Sequence, residues 1–303
     1  MSATSGKAGG LTGAGRGRMK IVIITLTYNE EIILPFFLRH YERFADRIII
    51  YDSGSTDRTL EIARGHPLVE LRDRPPTHGE IDDRENVRIK NTAWKDCGAD
   101  WVMVVDADEF LFYPPNRGLA NMRAFLTDCD RRKINVVPSE CWQMVGDATP
   151  TDGLLTEQIT TGVRDEHTIK YYDKVLIFKP ETKLVYTPGC HSCSGENLRF
   201  SLCLRFLLWA GCERLLRSPS SIASCLRFLV WAAGERPVKL LHYKWLSLDY
   251  VKRKAAELKL SAANVAQGLG CYPAGTTVNT VWVNWYLNAL KERRPLEFLQ
   301  RQI

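Results

Sequence analysis

The N-terminal part of the sequence lacks the features of a targeting signal. Residues 1–18 are rich in Gly, Ser and Ala, and they contain no apolar run of the roughly 7–15 residues that a secretory signal needs. They also contain few bulky side chains that could offset the entropy of ordering. We therefore expect a disordered tail over residues 1–18, a folded part that begins at Met19, and a cytoplasmic protein, with membrane association as the alternative.

Cysteines are too few and too scattered to form a disulfide scaffold. Nine cysteines, an odd number, lie between Cys97 and Cys271 without dense spacing, which favours reduced thiols in the cytoplasm. The segment 190–193, Cys-His-Ser-Cys, places three soft ligands together. No second CxxC and no HxxxH accompanies it, which argues against a zinc site.

A strong charge of either sign is also lacking. The formal net charge is +6, and half of that excess comes from Lys7, Arg16 and Arg18 in the tail, which has no acid. The remaining charge of about +3 is too small to indicate a nucleic-acid partner. The 303 residues, 45% of them hydrophobic, suffice for one large core.

From Lys20 onward, short β-branched runs alternate with helical patterns, which predicts α/β units stacked around a mostly parallel sheet. In the first half the predicted strands are 21–26, 47–51, 68–71 and 101–105, and the predicted helices are 30–44, 58–64 and 82–97. In the less regular second half the predicted strands are 134–138, 174–179 and 238–245, followed by a helix over about 247–267.

An internal repeat interrupts the second half. Residues 203–214 and 225–236 are identical at nine of twelve positions, and Arg interrupts the apolar stretch of each copy. Each copy is therefore too short and too polar to span a membrane, which takes about 20 apolar residues. We predict a helical insertion over 197–236. The other interpretations are an amphipathic hairpin in peripheral contact with a membrane and a gene-model artefact.

Two carboxylates in an Asp-x-Asp sequence follow the predicted strand 101–105. Alternate residues at the end of a strand can direct both Asp106 and Asp108 toward one Mg²⁺ or Mn²⁺ ion, which would neutralise a diphosphate. Open α/β sheets bind ligands beyond the carboxyl ends of their strands, where Glu30 and Asp52 also lie. The sequence thus predicts one polar crevice at this edge of the sheet.

Three segments, in this order, resemble the motifs of family 2 glycosyltransferases: TLTYNEE (25–31), IYDSGSTD (50–57) and RIKNTAWKDCGADWVMVVDADEF (88–110). The resemblance covers about 20–115 closely and 134–267 loosely. It implies a GT-A-like, Rossmann-like fold with a mostly parallel sheet flanked by helices. It also implies metal-dependent, inverting transfer from a nucleotide-sugar donor, UDP- or GDP-linked, to an acceptor that is an unidentified glycan, lipid or protein.

The resemblance also implies a division of the chain and a set of site residues. The GT-A-like domain would comprise 19–196 and 237–268, and a helical C-terminal annex would comprise 269–303. The residues expected to contact the nucleotide sugar are Thr27, Tyr28, Glu30, Asp52, Lys90, Asn91 and Asp106. The residues expected to bind the metal are Asp106, Asp108 and His242, with His191 as the competing histidine. Simpler local interpretations make Asp52 the cap of a turn and Lys90 a solvated charge.

The catalytic base is not evident, because the family's usual Glu-Asp pair is missing. Asp108 is expected to act in catalysis through the metal, and the base candidates are Glu140, Asp165 and Glu166, each of which is also explained as a surface acid. Tryptophans can stack on a sugar face, although packing in the core is their commoner use. The candidates for such stacking are Trp142, Trp245, Trp282 and Trp285.

Two other functions compete with glycosyl transfer. A nucleotidyltransferase would need a Gly-rich loop and a basic residue after the first strand. The loop at this position, 27–31, is acidic and contains no glycine, which argues against that function. The other alternative, a non-catalytic nucleotide-sugar-binding or assembly protein, stays open because the base is missing and the repeat is unexplained.

Overall fold

The computed structural model describes residues 18–77, 79–114, 118–196, 236–260, 264 and 278–300. The predicted tail, apart from Arg18, and the predicted insertion, apart from Arg236, lie outside the described residues. So do the first nine residues of the predicted annex, 269–277.

Fourteen strands are present in the described residues. Their bounds are β1 (Ile21–Thr27), β2 (Arg47–Asp52), β3 (Val69–Arg72), β4 (Glu80–Ile81), β5 (Trp101–Val104), β6 (Glu109–Phe112), β7 (Val136–Val145), β8 (Thr161–Val163), β9 (Val175–Phe178), β10 (Val185–Tyr186), β11 (Cys193–Ser194), β12 (Val238–Trp245), β13 (Lys259–Leu260) and β14 (Arg294–Pro295).

Nine α-helices connect or cover these strands in the same part of the chain. Their bounds are α1 (Leu34–Tyr41), α2 (Thr59–Arg64), α3 (Asp83–Thr92), α4 (Met122–Arg131), α5 (Leu155–Gln158), α6 (Glu166–Tyr172), α7 (Leu248–Glu257), α8 (Val278–Glu292) and α9 (Glu297–Gln300). Short 3-10 helices occur at Pro180–Thr182 and Pro188–Cys190.

Ten of the described strands form one mixed sheet, whose main order is β14-β8-β7-β9-β5-β1-β2-β3. Strands β5, β1, β2 and β3 are parallel to one another, as predicted, and this confirms the α/β fold. Beyond β5 the sheet is mixed, because β9 runs antiparallel between β5 and β7.

Both faces of the parallel part are buried, which explains its nearly continuous apolar runs. In β1, Ile21 and Ile23 pack into one core cluster, whereas Val22 and Ile24 pack into the cluster on the opposite face. This alternation follows from the period of two in a strand. The polar residues are therefore displaced to the ends of the strands, where the candidate site lies.

Strand β12 brings a remote part of the chain to the same edge. It pairs antiparallel with β6 and parallel with β7, and in this register His242 lies opposite Glu109 on one side and Gln143 on the other. The main-chain N–H of Tyr243 donates to the carbonyl oxygen of Asp108 at 2.7 Å. His242 is thereby fixed beside the Asp-x-Asp segment.

The C-terminal helices cover the end of β12. Helix α7 begins at Ser247, whose hydroxyl accepts a hydrogen bond from the N–H of Tyr250. Helix α8 packs against α7 through Val281, Trp282 and Tyr286, which share a core cluster with Val251. Among the described helices, none has both the length and the apolar character needed to cross a membrane.

Candidate active site

A cleft of about 330 Å³ lies at the carboxyl ends of β1, β2 and β5. It is bounded by the loops that follow these strands, by the end of β12 and by helices α3 and α7. The residues predicted from the sequence that line it are Thr27, Tyr28, Glu30, Lys90, Asp106, Asp108, His191, His242 and Trp282. The structure therefore brings most of the predicted site residues together.

Asp108 and His242 are the pair at the centre of the cleft. Nε2 of His242 lies 3.2 Å from Oδ2 of Asp108, and Nδ1 lies 2.8 Å from Oε1 of Gln143. A neutral imidazole that donates Nδ1–H to Gln143 turns the lone pair of Nε2 toward the Asp108 carboxylate. An imidazole that carries its proton on Nε2 instead donates to Asp108, so the contact fits either a hydrogen bond or a shared metal ion.

The electrostatic surroundings of Asp108 favour its ionised form. Burial alone would raise the pKa of Asp108, but the electrostatic attraction of His242, its hydrogen bond and the nearby Lys244 and Lys254 ammonium groups lower the pKa well below its ordinary value. One quarter of the side chain remains exposed. The carboxylate is thus charged and accessible from the cleft.

Asp106, the first carboxylate of Asp-x-Asp, is engaged by a lysine. Its Oδ1 lies 2.6 Å from Nζ of Lys90, which is almost buried, whereas Asp106 is 41% exposed on the cleft side. Burial opposes the charge on both groups, yet their mutual attraction raises the pKa of Lys90 and lowers that of Asp106. Lys90 therefore lies in the cleft and is not a solvated surface charge.

A second, buried ion pair stabilises the Asp-x-Asp turn. Nζ of Lys174 lies 2.7 Å from Oε1 of Glu109, and both side chains are buried. The other oxygen of Glu109 accepts a hydrogen bond from the main-chain N–H of Asp106 at 3.0 Å. Because Glu109 binds the turn and the lysine together, it fixes where the Asp106 carboxylate is presented.

The cleft is also lined by four cationic side chains that the sequence analysis did not identify: Arg74, Lys174, Lys244 and Lys254. Nζ of Lys244 lies 3.8 Å from the ring centroid of Trp282, and burial lowers its pKa to about 8. Nζ of Lys254 contacts the carbonyl oxygens of Tyr28 and Asn29. No sequence motif marks these lysines, because only the fold brings strand β12 and helix α7 to this edge.

Glu30 lies in the cleft beside Lys254, with Oε1 2.9 Å from Nζ. Its other oxygen is buried and has no hydrogen-bond partner among the described residues. Burial, partly offset by Lys254, raises the pKa of Glu30 to about 7. Glu30 is thus a carboxyl group that changes charge near neutral pH.

Two residues predicted to contact the nucleotide, Asp52 and Asn91, form hydrogen bonds that join elements of the fold. Asp52 accepts hydrogen bonds from the N–H groups of Gly54 and Ser55 and from the hydroxyls of Thr27 and Ser55. Its carboxylate therefore caps the turn and fixes Thr27. It is not among the residues that line the cleft.

Asn91 is the other of these two residues. Its amide forms two hydrogen bonds with the main chain of Tyr186 in β10, at 3.1 and 2.7 Å. These bonds join helix α3 to β10, and Asn91 does not line the cleft.

None of the three base candidates lines this cleft. Glu140 lies 2.9 Å from Nζ of Lys239 on β12, and this lysine lowers its pKa despite burial. Asp165 caps helix α6 by accepting from the N–H of Thr168 at 2.7 Å, and it lines a neighbouring cavity. Glu166 is exposed in the first turn of α6.

The Cys-His-Ser-Cys segment does not provide a second set of ligands. Nδ1 of His191, the competing histidine, is hydrogen-bonded to the carbonyl oxygen of Tyr171. Within the described ranges, no group of three or more His, Cys, Asp or Glu side chains is arranged to hold a metal ion. Asp108 and His242 are thus a two-residue donor set, with Asp106 directed to Lys90.

Comparison with known families finds a match in the first part of the chain. Residues 22–117 match the family model described as Glycosyl transferase family 2. This match contains the three motifs and the Asp-x-Asp segment, and it confirms the resemblance predicted from them. The matched segment contributes the loops after β1, β2 and β5, which line the cleft.

Two curated relatives are uncharacterized mycobacterial proteins, Mb3815c of Mycobacterium bovis and Rv3786c of Mycobacterium tuberculosis. Each is 36% identical over 95 residues, which cover 30% of this chain and 23% of the relative. The chain therefore spans about a quarter of the length of these relatives.

Solved structures that this chain is similar to include TarS of S. aureus, with a TM-score of 0.34 and 15% identity over 89% of this chain and 71% of that chain. Another is glucosyl-3-phosphoglycerate synthase of Mycobacterium tuberculosis in complex with Mn²⁺, UDP and glucosyl-3-phosphoglycerate. Its TM-score is 0.28, with 20% identity over 41% of this chain and 44% of that chain. Similarity at this level does not extend to ligands.

Proposed function

We propose that this chain is a metal-dependent glycosyltransferase that moves a sugar from a UDP- or GDP-linked donor to an acceptor with inversion, in the cytoplasm. The observation that carries this proposal is the contact of Asp108 with His242 in the cleft. Oδ2 of Asp108 and Nε2 of His242 lie 3.2 Å apart there, next to loops of the segment that matches the family 2 glycosyltransferase model. Such a pair is suited to bind a divalent cation.

The donor set fits Mn²⁺ or Mg²⁺ in three respects. Asp108 is a partly exposed carboxylate, His242 presents one nitrogen, and Gln143 orients the imidazole through the other, as an outer partner of a metal-bound histidine does. Asp106 is the proposed third ligand, released from Lys90 when the metal binds. A bound divalent cation would supply charge neutralisation of the donor's diphosphate as the nucleotide departs.

The chain's own cations would share that task. Lys90, Lys174 and Lys244 line the cleft near the two aspartates, so they can attract the diphosphate and hold it in place. At the other end of the cleft, Thr27, Tyr28 and Arg74 are the proposed contacts of the nucleoside.

The remaining predicted residues take supporting parts in this proposal. Asp52 positions the loop of Thr27 through their 2.9 Å hydrogen bond, and Asn91 holds helix α3. We assign the proton acceptor to Asp165, because it alone of the three candidates lines a cavity next to the cleft. Glu140 is neutralised by Lys239, and Glu166 lies on the exposed first turn of α6.

The experiment combines binding and turnover. UDP-glucose, UDP-N-acetylglucosamine and GDP-mannose are each added with and without Mn²⁺, and thermal unfolding and release of the nucleoside diphosphate are followed. A donor at 100 times its Kd stabilises the folded state by about 2.7 kcal/mol. The proposal expects a metal-dependent shift for at least one donor and slow release of its diphosphate in the absence of acceptor.

The competing functions give different results in the same assay. A nucleotide-sugar-binding protein would show the thermal shift without release of diphosphate at any enzyme concentration. A nucleotidyltransferase would convert a nucleoside triphosphate and a sugar phosphate to a nucleotide sugar and pyrophosphate. Either result would overturn the proposed glycosyl transfer.

A further inference from the structure

A second cavity, of about 320 Å³, adjoins the cleft that contains Asp108 and His242. We call that cleft the donor cleft, because it is the proposed site of the nucleotide sugar. It lies between helices α6 and α8 and the strands β7, β8 and β12, and Tyr172 lines both this cavity and the cleft. The Tyr172 ring is 5.2 Å from the ring of His242, with an interplanar angle of 30°. A group bound in this cavity is therefore separated from the proposed metal ligands by little more than one aromatic ring.

The walls of this cavity carry aromatic rings. Trp285 is 41% exposed, and its ring lies 6.3 Å from that of His167, which is in turn 6.0 Å from Tyr172. Core packing does not account for Trp285: three residues earlier on α8, Trp282 is buried against Trp245 with ring centroids 6.4 Å apart. An exposed aromatic face beside polar groups suits the C–H face of a sugar ring.

Besides His167 and Thr168, the polar groups of the same cavity are two acids and two amides. Gln143, Asp165, Asn288 and Glu292 line it, and the described residues that line it include neither Lys nor Arg. The donor cleft, by contrast, has five such cations. A phosphorylated or carboxylated acceptor would meet like charges in this cavity, whereas sugar hydroxyls can donate to carboxylates and exchange hydrogen bonds with amides.

We propose that this cavity, which we name the acceptor cavity, binds a neutral sugar residue of the acceptor. Trp285 is the stacking platform, and Asp165 and Glu292 accept from the sugar's hydroxyls. The inference rests on the proposed function, because it assigns donor and acceptor to the two sides of Tyr172. It adds the chemical class of the acceptor, which is an uncharged glycan.

The test measures sugar binding without any donor, by saturation-transfer NMR on the full chain. The probes are the methyl glycosides of glucose, galactose, mannose and N-acetylglucosamine, compared with glucose 6-phosphate and 3-phosphoglycerate. We expect saturation transfer to at least one neutral glycoside and none to the two phosphorylated compounds. Preferential binding of a phosphorylated compound, or no binding of any glycoside at millimolar concentration, overturns the proposal.

Variants locate the bound glycoside. Trp285→Ala is expected to weaken its binding at least tenfold, and Trp285→Phe is expected to retain most of it. The control is Leu287→Ala, because Leu287 is also 41% exposed on α8 and does not line the cavity. Equal binding by Trp285→Ala and Leu287→Ala overturns the assignment to this cavity.

A second pair of variants tests the acidic lining of the cavity independently of Trp285. Glu292→Lys places a cation in the cavity and is expected to create binding of glucose 6-phosphate. Glu157→Lys makes the same change on exposed helix α5 and is expected to leave binding as in the wild type. If the two variants behave alike, the acidic lining does not select the acceptor.

The failure of this inference differs from that of the proposed function. Thermal shifts with UDP and Mn²⁺ are measured on the same variants, because none of the substituted residues lines the donor cleft. Nucleotide binding without binding of any glycoside overturns the acceptor cavity alone. Glycoside binding that depends on Trp285, without any nucleotide binding, supports the cavity and overturns the proposed function.

Discussion

The ammonium group of Lys90 lies 2.6 Å from Oδ1 of Asp106, so the first carboxylate of the Asp-x-Asp segment already has a cationic partner. A divalent metal that binds Asp106 must compete with this lysine. This competition yields a prediction about metal affinity.

Lys90→Gln is expected to raise the affinity for Mn²⁺ measured without nucleotide by about tenfold, because a positive charge that competes for Asp106 is removed. Isothermal titration measures this affinity directly. Lys95→Gln, an exposed lysine beyond the end of α3, is the control. Unchanged or weaker Mn²⁺ binding by Lys90→Gln would show that the lysine does not compete with a metal.

Asp165→Asn is expected to lower the transfer rate about a hundredfold or more, because the carboxylate that would take the acceptor's proton is neutralised. An asparagine can still accept from the N–H of Thr168 and cap α6, so the melting temperature should not change. Donor affinity should also be retained. Glu166→Gln, one residue later, serves as the control, and a wild-type rate for Asp165→Asn would remove Asp165 as the base.

Much of the parallel half could be predicted from the sequence. The β-branched runs gave β1, β2 and β5 within one or two residues, because continuous apolar runs are typical of strands buried on both faces. Helix α1 begins at Leu34 and not at the predicted residue 30. The main-chain N–H groups of Ile33 and Leu34 both donate to the carbonyl oxygen of Glu30, in a turn that precedes the helix. A proline occupies the first turn of α1.

The second half of the site was harder to predict, because it depends on pairing between distant segments. His242 could be assigned from the resemblance, but its partner Gln143 is known only from the register of β12 with β7. Lys244 and Lys254 are ordinary lysines in the sequence and become cleft residues only in the fold. Asp52 shows the reverse case: its local explanation as a turn cap is what the hydrogen bonds support.

The raised pKa of Glu30 predicts a pH-dependent contribution to stability. Since the folded-state pKa is about 7 and the ordinary value is 4.5, protonated Glu30 stabilises the fold at low pH, and this contribution is lost as pH rises through 7. Replacing it by Gln removes that loss. Between pH 4.5 and 8, the free energy of unfolding of the wild type should therefore fall by about 3 kcal/mol more than that of Glu30→Gln.

Urea unfolding over this pH range, without metal or nucleotide, measures the difference. Glu157→Gln, on the exposed face of α5, is the control for the loss of a carboxylate. A difference between Glu30→Gln and the wild type that stays constant with pH would contradict the raised pKa.

Gly79 is expected to be required for the conformation of residues 79–81, which line the cleft. It has φ of +86°, and a Cβ there would lie 2.4 Å from the carbonyl oxygen of Glu257 at the end of α7. Gly79→Ala should therefore lower the free energy of unfolding by about 2 kcal/mol or more and weaken donor binding. Gly98 has φ of +63° and open space around it, so Gly98→Ala should cost only about 1 kcal/mol. An equal loss of unfolding free energy in the two variants would show that the close approach of the Glu257 carbonyl oxygen to position 79 is unimportant.

The central claim is that Asp108 and His242 bind a metal that serves the donor's diphosphate, and Asp108→Asn tests it most directly. The measurement is Mn²⁺-dependent release of nucleoside diphosphate from the donor that gives the largest thermal shift, by Asp108→Asn and by the control Asp152→Asn, whose side chain is 93% exposed. The account predicts a rate at least about a hundredfold below the wild type for Asp108→Asn, although the variant is still folded at the assay temperature, and a wild-type rate for the control. A wild-type, Mn²⁺-dependent rate for Asp108→Asn would contradict it.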